Sequence, residues 1–133
     1  MQLAQFAKSY QSVAINTATP AQLILMLYDG ALRFMAAAKF GFREENIGRR
    51  MESIHINLIK AEKIIRELQY SLDMKAGGEF AERMLPLYDF MVRQLQEANL
   101  KKQSAPIETV ERLLGDIRNA WAEMLDKSAT LAA

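Results

Sequence analysis

Residues 46–72 read NIGRRMESIHINLIKAEKIIRELQYSL. Along this stretch Ile47, Met51, Ile54, Leu58, Ala61, Ile65, Leu68 and Leu72 alternate steps of four and three, the spacing that lines apolar side chains along one stripe of an α-helix. Asn46 stands where an N-cap side chain would accept from the first turn. A seam of this length could serve a coiled coil. In a short chain with several such helices, however, the helices pack on one another. Gly77-Gly78 ends the pattern with a helix break.

The segment before this seam carries a capping box, Thr19-Pro20-Ala21-Gln22. Thr is the N-cap, Pro sits at N1 where a missing N–H costs nothing, and Gln at N3 reaches back. A helix starting near residue 20 then carries Leu23, Leu27, Ala31, Phe34, Ala38 and Phe42 to the polar break REEN. After the glycines, Phe80, Met84, Leu87, Met91, Leu95 and Ala98 form a third stripe, with Pro86 inside it. Proline removes a backbone hydrogen bond there, so a kink is expected. The stop KKQSAP precedes a fourth stripe, Ile107, Val110, Leu114, Ile117, Trp121 and Met124, with Ser104 or Ala105 before Pro106 as its start signal. Short connections make neighbours antiparallel. The expected architecture is all-α: an antiparallel four-helix bundle over 19–128, an N-terminal arm over 1–18 without a sustained stripe, and a short tail over 129–133.

Composition narrows the function. The chain has 133 residues and a formal charge of +1 from 17 Lys plus Arg and 16 Asp plus Glu, which supplies no basic field for nucleic acid or anionic lipid. It has no Cys, which excludes disulfides, thiol nucleophiles and thiolate metal sites. No apolar run approaches membrane-spanning length and the N-terminus lacks the pattern of a secretory signal, so the expectation is a cytoplasmic protein without membrane insertion.

A helix in a four-helix bundle needs one apolar stripe, yet the first helix adds Ile24, Leu25, Met26 and Tyr28, the second adds Ile56, Ile59 and Ile64, and the third adds Leu85, Tyr88 and Val92. A wider core or a dimer interface is the plainest use of such a surplus. Five segments point further: NTATPAQLILMLYDGALRF, NLIKAEKIIREL, SLDMKAGGEFAERMLPLYDFM, QLQEANLKK and LLGDIRNAWAEML. In this order and spacing they resemble the flagellin export chaperone family, FliS, over roughly residues 10 to 125.

The resemblance implies an antiparallel helical bundle that binds the disordered C-terminal segment of flagellin in the cytoplasm, prevents its premature polymerisation and aids its delivery to the flagellar type III export gate. A segment that folds on binding needs long apolar grooves. The expected groove takes Ile24, Leu27 and Tyr28 from the first helix and Asn57, Lys60, Ala61, Ile64 and Leu68 from the second. It adds Tyr88, Met91 and Leu95 from the third, with Tyr10 and Ile15 of the arm beside it. The export gate is a further expected contact, and the same groove offers the free protein a homodimer surface.

The chemistry of catalysis is sparse by comparison. Glu52 and His55 have the Glu-x-x-His spacing of di-iron bundles, but His55 is the only His and such a site takes two of these motifs. A lone His on a bundle helix also suits phosphotransfer, although the residues that follow, INLIK, lack the Lys-Gly context such domains carry. The expectation is therefore a binding protein rather than an enzyme, with no cofactor and no metal, and with Asp29 as a solvated helix residue.

Overall fold

The computed structural model describes residues 18–72 and 77–132, with side chains described up to residue 128. Tyr10 and Ile15, expected beside the groove, lie outside the described residues. Four helices follow in order: α1 Pro20–Gly41, α2 Ile47–Tyr70, α3 Gly78–Lys101 and α4 Ala105–Ala132. Among the described residues there is no strand. The caps are those the sequence spells. The Thr19 side chain accepts from Gln22 N–H at 3.2 Å while Gln22 Oε1 accepts from Thr19 N–H at 2.8 Å, and Asn46 Oδ1 accepts from Arg49 N–H at 3.0 Å. Lys102 closes α3 in the left-handed region at φ 51°, where the C-terminal carbonyls of the helix also favour its positive charge. α3 runs through the exposed Pro86 without interruption.

Each helix packs against its two neighbours in a ring, α1 on α2, α2 on α3, α3 on α4 and α4 back on α1. The antiparallel order shows in side-chain contacts. Lys39 near the end of α1 reaches Glu111 near the start of α4 at 2.9 Å. At the opposite end the Trp121 indole N–H donates to the Ala21 carbonyl at 2.8 Å. Between these, Arg118 Nε holds Asp29 Oδ1 at 2.7 Å; Asp29 is thus an ion-pair partner across the ring rather than a purely solvated carboxylate. Gly41 lets α1 come down on α2, since a Cβ there would stand 2.8 Å from Ser53 Oγ and 3.2 Å from its Cβ.

Membership of a ring decides the core. A helix with two neighbours buries more than a single heptad seam, and α1 accordingly buries both Leu27 and Tyr28, with Ala31, Met35 and Ala38. α2 buries Ile54, Leu58, Ala61, Ile64, Ile65 and Leu68, so Ile64 extends the seam inward. Ile47, which opens that seam in the sequence, is instead 67 % exposed, as it precedes the level at which α1 covers α2. Burying side chains of this size contributes about 1.5–3 kcal/mol each before entropy is counted, and most of the apolar surplus is used in this way.

Candidate partner-binding surface

Two hollows among the described residues bear on partner binding. The first is a cleft between α2 and α3. His55, Ile59 and Glu62 line it from α2, and Gln96, Asn99 and Leu100 from α3, with Lys102 at its end; it encloses about 630 Å³. It continues along α2 past Ile59 and Glu62 into a second hollow of about 490 Å³ beside Lys63 and Arg66. Leu100 is 84 % exposed at its rim, and Ile56 on the adjoining α2 surface is exposed as well. The result is a trough in which Ile59 and Leu100 supply apolar surface between polar walls, a layout that accepts an amphipathic segment.

The polar wall is organised. The Asn99 amide lies 2.8 Å from His55 Nδ1, and the Lys102 ammonium donates to Asn99 Oδ1. Burial pushes the Lys102 pKa down and the Glu62 pKa up, the latter opposed by a hydrogen bond from Gln96 and by the charges of Arg66 and His55. Further along, Arg66 and Gln69 both donate to Asp89, at 2.7 and 3.1 Å. Those hydrogen bonds, from Arg66 first, hold its carboxyl below the usual carboxylate range. Among the described residues no three His, Asp or Glu side chains gather as a metal site would require.

The second feature is a small apolar pocket of about 120 Å³ at the end of the bundle where α1 begins. Ile24, Leu68, Leu72, Phe80, Ala81 and Trp121 surround it, with Tyr28, Tyr88, Ser71 and Gly77 also on its wall. The two tyrosine hydroxyls are hydrogen-bonded to each other at 2.8 Å. Trp121 meets Tyr28 edge-on with centroids 6.1 Å apart, and it lies 5.9 Å from Phe80.

Against this geometry the expected groove divides. Ile24, Tyr28, Leu68 and Tyr88 converge on the end pocket. Leu27, Ala61, Ile64, Met91 and Leu95 are core residues no more than 1 % exposed, on the faces that the ring of helices packs together. Asn57 and Lys60 lie toward α1: Asn57 donates to the Ser53 carbonyl at 2.8 Å, and the Lys60 ammonium stands 5.4 Å over the Phe34 ring. The α2–α3 trough was missed except for Ile59, which the surplus count had marked. Leu100 falls outside the apolar stripe of the third helix, and the remaining lining residues are polar, so no apolar periodicity could have found them.

Most of the chain also matches known proteins. The family model described as Flagellar protein FliS matches residues 2–128. The chain belongs to the FliS family. Among FliS relatives, the flagellar secretion chaperone of Bacillus subtilis is 38 % identical over 117 residues, 88 % of this chain and 84 % of that one. The Salmonella typhimurium chaperone is 37 % identical over 97 % of this chain and 96 % of its own length. That of Escherichia coli is 34 % identical over 84 % and 80 %. The match to FliS spans all four helices, so the trough and the end pocket both lie within the shared region. No helix among the described residues is long and apolar enough to cross a membrane.

Proposed function

We propose that this protein is a flagellar secretion chaperone that binds the disordered C-terminal segment of flagellin in the cytoplasm, keeps it from polymerising early and aids its delivery to the type III export apparatus. Chaperone of secretion is what the relatives are named for. The observation that carries the flagellin reading is the α2–α3 trough, whose Ile59 and Leu100 between polar walls suit an amphipathic segment that becomes helical on binding. Ile59 and Leu100 would receive apolar side chains. Ile24, Tyr28, Leu68 and Tyr88 would take part through the end pocket, and Asn57 and Lys60 would meet the segment only if it wraps toward α1. Unoccupied, the trough is also the surface through which two free copies would pair.

Calorimetry with flagellin monomer and with flagellin lacking its C-terminal segment tests this. The expected result is 1:1 binding of the first and none of the second, with a negative heat-capacity change from apolar burial and favourable enthalpy opposed by ordering. Equal binding of both would reject the reading.

A further inference from the structure

The walls of the α2–α3 trough carry two charges of opposite sign, and each is held by a neutral amide of α3. The Glu62 carboxylate accepts from Gln96, and the Lys102 ammonium donates to Asn99 Oδ1. A carboxylate has about four acceptor sites and an ammonium three donors, so one amide fills only part of either. Both side chains are half-buried and line the hollow beside Ile59 and Leu100, and Glu62 also lines the next hollow along α2. The other cations there differ. Arg66 is paired with Asp89 at 2.7 Å, and Lys63 is exposed, so its long stem can keep the ammonium in water. A segment laid on Ile59 and Leu100 therefore takes water chiefly from Glu62 and Lys102, and a charge that loses water without gaining a partner is costly. Burial already disfavours the charged form of both.

We propose that the trough selects its occupant by this charge pair. The bound segment is an amphipathic helix that sets a Lys or Arg against Glu62 and an Asp or Glu against Lys102, on the face that carries its apolar residues to Ile59 and Leu100. The spacing follows from the walls. On α3, Gln96 and Asn99 stand one turn apart, and on α2 His55, which meets Asn99 at 2.8 Å, stands two turns before Glu62. The two charges of the segment therefore lie about three to seven helical positions apart. That the segment belongs to flagellin rests on the reading above; the charge pattern rests on the trough. The chain's own residues 1–17 contain Lys8 and no Asp or Glu, so they offer a counter-charge to Glu62 but none to Lys102.

The test uses alanine-based helical peptides with two Leu on one face. On that face they carry one Lys and one Glu, two Lys, or two Glu, in sets with the charges three, four or seven positions apart. Fluorescence anisotropy of the labelled peptides against the full chain ranks them whichever way round they bind. At the best spacing the wild type should favour the Lys-plus-Glu peptide by about three- to tenfold. Lys102→Glu should prefer the two-Lys peptide and Glu62→Lys the two-Glu peptide. Lys127→Glu, which reverses an exposed α4 charge paired within its own helix, should keep the wild-type ranking. Lys102→Gln and Glu62→Gln, which should lose the preference without inverting it, serve where a reversal does not fold. Flagellin affinity should fall by at least a similar factor in both reversals. No saturable binding of any peptide to the wild type, or one ranking shared by Lys102→Glu and Lys127→Glu, overturns the proposal. So does tighter binding of every peptide by Lys8→Ala, which would seat residues 1–17 in the trough. A dimer in light scattering that Lys102→Glu disperses, while no peptide binds, would seat a second copy there and overturn it as well. If the peptides rank as expected and flagellin does not bind, the flagellin reading fails while the charge pair stands. If flagellin binds the wild type and both reversals alike and the peptide ranking does not invert, the charge pair fails and the flagellin reading survives.

Discussion

The hydroxyls of Tyr28 in α1 and Tyr88 in α3 meet at 2.8 Å across the middle of the ring, joining two helices that are not neighbours. Removing one hydroxyl strands the other in an apolar surrounding, whereas removing both leaves two rings of almost unchanged shape. Tyr88→Phe should therefore cost about 1 kcal/mol in urea denaturation, and the double Tyr→Phe variant should cost less than the single one. A double variant that loses the sum of two separate penalties would show that the hydroxyls do not act as a pair.

Leu58 and Ile59 are adjacent in α2 but serve different purposes. Leu58 is fully buried, and Leu58→Ala should destabilise the fold by about 2–5 kcal/mol through lost contacts and the cavity left behind. Ile59, half-buried on the floor of the trough, should lose less than about 1.5 kcal/mol on truncation to Ala yet weaken flagellin binding measured by calorimetry. Full affinity in Ile59→Ala would move the binding surface elsewhere.

The approach of α1 to α2 at Gly41 leaves no room for a side chain. Gly41→Ala would place a methyl 3.2 Å from Ser53 Cβ, and the hydroxyl at 2.8 Å would have to rotate away. The expected loss is about 1–3 kcal/mol by thermal or urea unfolding. Adding Ser53→Ala should recover part of it, since that removes the nearer atom and leaves the further one.

Burial raises the Glu62 pKa, so the folded protein holds this proton more tightly than the unfolded chain. The contribution is most favourable at low pH; it is lost as pH rises from the ordinary glutamate value, about 4.3, through the folded value, and then stays constant. Glu62→Gln should flatten that slope and stabilise the protein at neutral pH by at most about 1 kcal/mol, because the side chain is partly solvated. Asp89 acts in the opposite sense: its lowered pKa gives stability that is lost only as pH falls below the ordinary aspartate range. Urea midpoints of wild type and Glu62→Gln, taken at roughly one-unit steps between about pH 3 and 8, would reveal the Glu62 slope.

Local chemistry was the legible part of this chain. The Thr19 box, the Asn46 cap, the Gly77-Gly78 break and Lys102 at the end of α3 each depend on residues within a turn of one another, and each could be read from order alone. The division of apolar residues between core and surface was not legible. Whether Leu27 and Tyr28 are wall or core depends on α4 lying beside α1, and that contact joins residues 89 apart at Asp29 and Arg118. The α2–α3 trough was hidden for another reason: its walls are His55, Glu62, Gln96 and Asn99, residue types that on a helix ordinarily signify only solvent.

The hydrogen bond from Trp121 to Ala21 spans 100 residues, and it sets an order of events during synthesis. α1, α2 and α3 leave the ribosome first and can pair in sequence, but α1 keeps its second face uncovered until α4 has been made. At about 5–20 residues per second, the wait from the end of α1 to the emergence of Trp121 is on the order of seconds, long against helix formation. A chain ending at Arg112 and released from the ribosome should therefore protect the backbone amides of α2 from hydrogen exchange better than those of residues 21–28 in α1. For that interval, the chaperone itself exposes the kind of apolar surface that other chaperones attend.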